Sequence, residues 1–211
     1  MRILDLFCGA GGAAMGYHQA GFDGVVGIDV RPQPHYPFEF HCADALTFPL
    51  DGFDLIHASP PCQRFSRLTP RRLRTAHPDL IGPIRDRLVL SGIPYVIENV
   101  PLSPIRPDVV LCGSTFGDLT LRRHRHFEIG NIREHLFLVP PCQHHRPFIG
   151  VYGHAGGYER RRSSPRSRTA ARADAMGIDW MTGAELSEAL PPAYTRIIGE
   201  WLIPVIMASH P

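Results

Sequence analysis

Apolar residues along this chain come in short runs that end on glycine, proline or an acid. Residues 2–7 form the first, a strand-length run that breaks into Gly9-Ala10-Gly11-Gly12. The spacing then predicts a helix over residues 13–19 that stops at Gly21. Residues 24–28 read as a second strand closed by Asp29, and a third short strand leads to Asp44 after a proline-rich loop at 31–37. Residues 53–58 (F-D-L-I-H-A) predict a fourth strand, ended by Pro60-Pro61, and residues 94–100 (P-Y-V-I-E-N-V) a fifth. A helix over 79–90 fills the gap between them, and residues 185–190 and 193–202 read as two closing helices. Residues 140–147 and 158–168 read as loops. Strands alternating with helices at this spacing predict an α/β fold, a mostly parallel sheet with helices on both faces.

The chain has 211 residues, the size of one α/β domain, and 44% hydrophobic content is enough for a core. No apolar run approaches the ~20 residues of a membrane span, and Asp5 comes too early for a signal peptide. Five cysteines, an odd number, read as thiols of a reducing, cytoplasmic compartment rather than as a disulfide framework. The net charge of +2 conceals an uneven layout. Residues 1–120 hold 10 Arg and 12 acids, residues 121–172 hold 11 Arg and 3 acids, and residues 173–211 hold 1 Arg and 5 acids. A basic middle block suits a polyanion. All 22 basic residues are arginine, however, and with 21 prolines this also reflects a GC-rich coding bias.

Two groups of residues carry candidate chemistry. At the first strand-to-helix junction, Asp5-x-Phe7-x-Gly9-x-Gly11-Gly12 offers a backbone that a ligand can approach closely, beside the free N–H groups of a helix start. Asp29 is placed to accept from ribose hydroxyls and Asp44 from an adenine amino group. The spacing departs from the dinucleotide fingerprint, and these residues alone suit an NAD-like or an S-adenosylmethionine-like ligand equally. At the second group, Ser59-Pro60-Pro61-Cys62-Gln63 follows the fourth strand and Glu98-Asn99 closes the fifth, so Cys62 and Glu98 can converge over one cleft.

Four motifs in order resemble the DNA (cytosine-5) methyltransferases: D-x-F-x-G-x-G-G from Asp5, P-P-C-Q from Pro60, E-N-V from Glu98, and R-x-R at Arg123 and Arg125. The stretch L-P-P-A-Y-T-R-I-I-G at 190–199 looks like the family's closing motif. The resemblance implies the Rossmann-like fold of S-adenosylmethionine-dependent methyltransferases. It also implies transfer of a methyl group to carbon 5 of cytosine in double-stranded DNA, through a covalent bond from Cys62 to carbon 6 of a flipped base. Cys62, Glu98, Asn99, Arg123 and Arg125 would form the catalytic group, with Glu98 acting near N3, Arg125 at O2 and Asn99 holding the cleft. Asp5, Phe7, Gly9, Gly11, Gly12, Asp29, Asp44 and Pro60 would line the cofactor site. Arg64, Arg67, Arg71, Arg72 and Arg74 after Cys62, with Arg160 and Arg161 in the basic block, would contact phosphates. The implied layout is a single unit: a cofactor and catalytic core over 1–125, a short basic target-recognition region over 126–175, and C-terminal helices over 176–211 that complete the core. A small phage-type or orphan member fits this length.

Leu121 stands where the family has Gln, and Gly199-Glu200 where it has Gly-Asn. P-P-C-Q recurs at 140–143, followed by His144 and His145, with Cys112, His124 and His126 upstream. Their spacings match no standard finger, which predicts loop residues rather than a metal site. The competing readings are a tRNA cytosine-5 methyltransferase and a non-catalytic nucleic-acid-binding module. Retention of Cys62, Glu98 and Arg125 together argues against the latter.

Overall fold

A computed structural model describes residues 1–117, 119–133, 137–144, 148–152 and 165–209, without the side chains of 165–167 and 209. The chain runs β1 (Arg2–Leu6), α1 (Gly12–Ala20), β2 (Gly24–Asp29), β3 (Glu39–Cys42), β4 (Leu55–Ala58), α2 (Ile81–Ser91) and β5 (Tyr95–Asn99). It continues through β6 (Val109–Leu111), β7 (Arg125–Gly130), α3 (Pro165–Met176), α4 (Gly183–Glu188) and α5 (Pro192–Ser209). The strands form one sheet in the order β3-β2-β1-β4-β5-β7-β6. The first five are parallel, β7 runs antiparallel to β5, and β6 antiparallel to β7.

Alternation along the strands splits the core into two layers, because successive side chains leave opposite faces of a sheet. Ile3, Val25, Leu55 and Val96 face α1 and α5, meeting Ala13, Tyr17, Tyr194, Ile198 and Leu202. Leu4, Val26, Ile56 and Ile97 face α2 and meet Ile81, Ile84 and Leu88. The helix α1 ends as its sequence predicts. Gly21 adopts φ +116°, its N–H reaches the His18 carbonyl, and the Phe22 N–H reaches the Tyr17 carbonyl, closing the helix in a Schellman motif. Thr195 on α5 donates its hydroxyl to the Ala13 carbonyl at 2.8 Å, which fixes the closing segment onto the first helix.

Because β1 pairs with β2 on one side and β4 on the other, the order reverses at β1. The carboxyl ends of β1 and β4 therefore flank the crevice where open α/β sheets take ligands. Both candidate segments leave the sheet there: the glycine turn after β1 and Ser59–Gln63 after β4.

Three expectations need correction. The sequence reading placed no strand at 109–111 or 125–130, yet β6 and β7 extend the sheet. The proposed boundary at 125/126 thus falls inside β7, a core strand. Residues 165–168, read as loop, begin α3, which is held by Met176 and the partly buried Ala173 packing with Ile178, Met181 and Leu186. Residues 160–162 lie outside the described residues.

A polar chain crosses the buried layer. His57 on β4, wholly buried, is within 3.0 Å of the Tyr17 hydroxyl through Nδ1 and within 2.9 Å of the Ser59 hydroxyl through Nε2. Burial pushes its pKa down from 6.5 to about 3. The unfolded chain therefore binds a proton below pH 6.5 that the folded chain refuses, and this group's stabilisation is complete above that pH. It is lost as pH falls from 6.5 toward 3, by up to about 1.4 kcal/mol per pH unit. Urea midpoints measured from pH 7.5 to 4.5 should fall more steeply for the wild type than for His57→Gln. Parallel pH profiles would mean that His57 does not carry this acid sensitivity.

Candidate active site

The glycine turn forms a cradle at the end of β1. Gly9 (φ +49°) and Gly11 (φ +86°) both sit in the left-handed region, and a Cβ on Gly9 would point into open space. Asp29, at the end of β2, organises the turn. One carboxylate oxygen accepts the Gly9 N–H at 3.2 Å, and the other accepts the Arg31 N–H at 3.0 Å. Beneath lies Asp5, fully buried, neither oxygen having a close partner among the described residues. Burial and the neighbouring Asp29 hold its pKa well above the carboxylate range, against the opposing Ala14 amide of α1. An open glycine turn with the Asp29 carboxylate at its rim fits a ligand that brings hydroxyl donors.

Two placements qualify the reading of this end. Asp44 is exposed, and its carboxylate accepts the Leu46 N–H at 2.9 Å to shape a turn after β3. Tyr36, inside the proline-rich loop, was not anticipated. Its ring is buried against Gly27, where a Cβ would overlap it, and next to Gly11. Gly27 in the middle of V-V-G-I-D was the available signal, since an internal strand glycine marks close approach by another group.

At the other side of the crevice, the segment bearing Cys62 is tethered at each step. The Ser59 N–H donates to the Leu6 carbonyl at 3.1 Å. Asn99 donates its amide to the Pro60 carbonyl at 2.9 Å, and the Cys62 carbonyl accepts from Phe65 and Ser66. Cys62 is partly exposed, whereas Cys8 on the glycine turn is buried, its thiol raised strongly by burial and the Asp5 charge. Burial also raises the Cys62 thiol; Arg125 and Arg123 lower it, and Glu98 raises it. Those charges identify the groups that surround the sulfur.

Glu98 on β5 and Arg125 at the start of β7 form an ion pair of 2.8 Å, with side chains 10% and 11% exposed. Their strands are neighbours in register, Glu98 lying opposite Phe127. The antiparallel strand that the sequence reading missed is thus the element that delivers Arg125 to Glu98. Arg123 is placed differently from its partner in R-x-R. It is 2% exposed and donates to the Val151 carbonyl at 2.7 Å and the Ser187 carbonyl at 3.0 Å, while the Tyr194 hydroxyl donates to the Arg123 carbonyl at 2.6 Å. Burial and Arg125 lower its pKa to about 9. Arg123 braces the loop around the site, with Tyr152 and Tyr194 as unanticipated supports.

Of the arginines after Cys62, Arg64 donates to the His77 carbonyl and Arg74 to the Thr69 carbonyl, so both shape the loop. Arg67, Arg71 and Arg72 are exposed on it. Arg160 and Arg161 lie outside the described residues. Leu121 is buried against Val151 and Met176, and Glu200 is a surface residue paired with Arg196 at 3.8 Å, so neither departure from the family pattern introduces a buried charge. Among the described residues, no helix is long and apolar enough to cross a membrane.

Part of the chain is similar in sequence to known proteins. Residues 1–79 match the family model of C-5 cytosine-specific DNA methylases. The chain is 30% identical over 116 residues to type II methyltransferase M.XorII of Xanthomonas oryzae, covering 46% of this chain and 27% of that protein. It is 29% identical over 119 residues to type II methyltransferase M.AquIA of Picosynechococcus, covering 47% of this chain and 45% of that one. The match thus spans less than half the length of either relative. A structure described as a DNA-modification methyltransferase encoded within an E. coli prophage shares the fold, with a TM-score of 0.64 at 13% identity over 98% of this chain and 99% of that one. The first 79 residues are thus similar to the C-5 cytosine-specific DNA methylases, and the chain shares the fold of the prophage-encoded structure.

Proposed function

We propose that the protein methylates carbon 5 of cytosine in DNA, with Cys62 as nucleophile. The observation that carries this reading is the grouping of a partly exposed cysteine with the Glu98–Arg125 pair beside the glycine cradle. Cytosine carbon 5 is a weak nucleophile, and addition of a thiolate at carbon 6 converts the ring to an enamine that can attack an electrophile. Burial leaves the Cys62 thiol raised overall; Arg125 and Arg123 offset part of that push, and the thiol proton passes to solvent as the sulfur adds to carbon 6. Glu98, after taking up a proton from solvent, donates it to N3 as charge enters the ring, and Arg125 opposes charge at O2. Asn99 keeps the Cys62 segment in place through the Pro60 carbonyl. After transfer, a base removes the proton from carbon 5, the carbon–sulfur bond breaks, and the thiolate returns. A stacked base hides carbon 6, so the substrate cytosine is flipped out of the helix, with Arg67, Arg71 and Arg72 on the loop available to phosphates.

The cradle fits S-adenosylmethionine, which when bound supplies an electrophilic methyl group on a sulfonium. Gly9, Gly11 and Gly12 would lie along it, and Asp29 would accept from its ribose hydroxyls. Asp29→Ala should weaken binding of the cofactor by about 1–3 kcal/mol, the cost of a hydrogen bond to a charged group. The carboxylate also holds the Gly9 N–H, so the loss includes relaxation of the turn. Calorimetry with wild type and variant measures this, and equal affinities would exclude Asp29 from the site. Activity is tested by incubating the protein with methyl-labelled cofactor and either duplex DNA or tRNA. Label recovered as 5-methylcytosine in DNA supports the proposal, and label confined to tRNA, or in neither, refutes it.

A further inference from the structure

We infer that the protein carries a structural zinc site made by Cys112, His124, Cys142 and His144. The four residues come from three separate places. Cys112 follows β6, His124 immediately precedes β7, and Cys142 and His144 belong to the second P-P-C-Q segment. Each offers one ligand atom, and all four atoms lie within 4.8 Å of one another. Two sulfur-to-nitrogen edges of this group measure 3.6 Å, Cys112 Sγ to His144 Nε2 and Cys142 Sγ to His124 Nε2. A tetrahedral zinc with Zn–S of about 2.3 Å and Zn–N of about 2.0–2.1 Å requires sulfur–nitrogen edges of about 3.6 Å. The two imidazoles stand at 90° with centroids 5.1 Å apart, so each can aim Nε2 at a common centre. The Ser114 hydroxyl lies 3.3 Å from Cys112 Sγ, a donor to a ligand sulfur of the kind that supports metal thiolates.

Four protein ligands leave no open position, which makes the site structural rather than catalytic. Two thiolates and two neutral imidazoles balance the metal's charge, and binding releases two thiol protons to solvent. The position gives the site its consequence. His124 lies between Arg123 and Arg125 in the chain, and its carbonyl accepts from the Arg125 guanidinium at 3.0 Å. The metal would clamp residues 142–144 onto the turn that presents Arg125. This inference is independent of the proposed reaction.

The test is metal analysis of the full-length protein purified without added metal, followed by reconstitution. The expected result is one zinc per chain, falling below a tenth in Cys142→Ser and in Cys112→Ser and unchanged in Cys42→Ser. Cys142 is exposed, so its substitution leaves the core intact, and matching circular dichroism of Cys142→Ser and wild type verifies this. Cobalt added to metal-free wild type should give the intense visible bands of a tetrahedral thiolate–imidazole centre, absent in Cys142→Ser. Failure of the reduced wild type to take up zinc or cobalt would overturn the site. So would zinc retained in Cys142→Ser, or a Cys112–Cys142 disulfide found in metal-free protein that resists zinc after reduction.

Discussion

Cys62→Ala should abolish methyl transfer, a loss on the order of 10⁴-fold or more, because removing a covalent nucleophile removes the step that activates the ring. Cofactor affinity should be unchanged, since the cradle belongs to the turn after β1 and the Asp29 rim. Stability should shift by no more than about 1 kcal/mol, because the side chain is partly exposed and the segment is held by backbone contacts from Leu6 and Asn99. Turnover, calorimetry and urea denaturation on the same preparation separate these effects. A variant that still methylates at a tenth of the wild-type rate would remove Cys62 from the mechanism.

Glu98→Gln should lower kcat by about 10²–10⁴-fold, the range for losing a positioned general acid. A second readout distinguishes this from structural damage. Glu98 raises the Cys62 thiol pKa, so removing its charge should make Cys62 more reactive toward iodoacetamide at neutral pH. The variant should therefore combine faster alkylation with slower methyl transfer. Slower alkylation would show instead that the pair with Arg125 is needed to keep the sulfur accessible.

The parts of the fold that the sequence displays are those with uninterrupted apolar character. Of the five parallel strands, β1, β2, β4 and β5 are buried on both faces and read as continuous apolar runs, whereas the edge strand β3 is mostly exposed. The strand β7 does not read this way, because R-H-F-E-I-G carries two charges. Both are neutralised by distant residues, Arg125 by Glu98 and Glu128 by Arg85 at 2.7 Å, and no local pattern announces such pairs. The same limit applies to the arginines. The R-x-R motif gives two equivalent guanidinium groups, whereas burial turns Arg123 inward to carbonyls and leaves Arg125 at the site. Arg64 and Arg74 likewise resemble their neighbours in sequence, and only the backbone carbonyls they bind set them apart.

Position in the fold, by contrast, distinguishes two segments that local pattern leaves alike. Both P-P-C-Q copies follow apolar stretches, but the first leaves β4 at the point where the sheet order reverses. The second lies beyond R-x-R, and its cysteine joins the Cys/His group near β7. Spacing alone conceals that group, since its ligands are 12, 18 and 2 residues apart along the chain, and only the antiparallel β6–β7 pair brings Cys112 toward His124.

The most direct measurement is covalent trapping on duplex DNA that contains 5-fluorocytosine, with S-adenosylmethionine present. Fluorine at carbon 5 cannot leave as a proton does, so a nucleophile that has added to carbon 6 stays attached after methyl transfer. Peptide mapping of the trapped complex should place the adduct on Cys62, and Cys62→Ala should form none. No adduct with active wild-type enzyme, or an adduct on Cys142 that survives Cys62→Ala, would contradict the account.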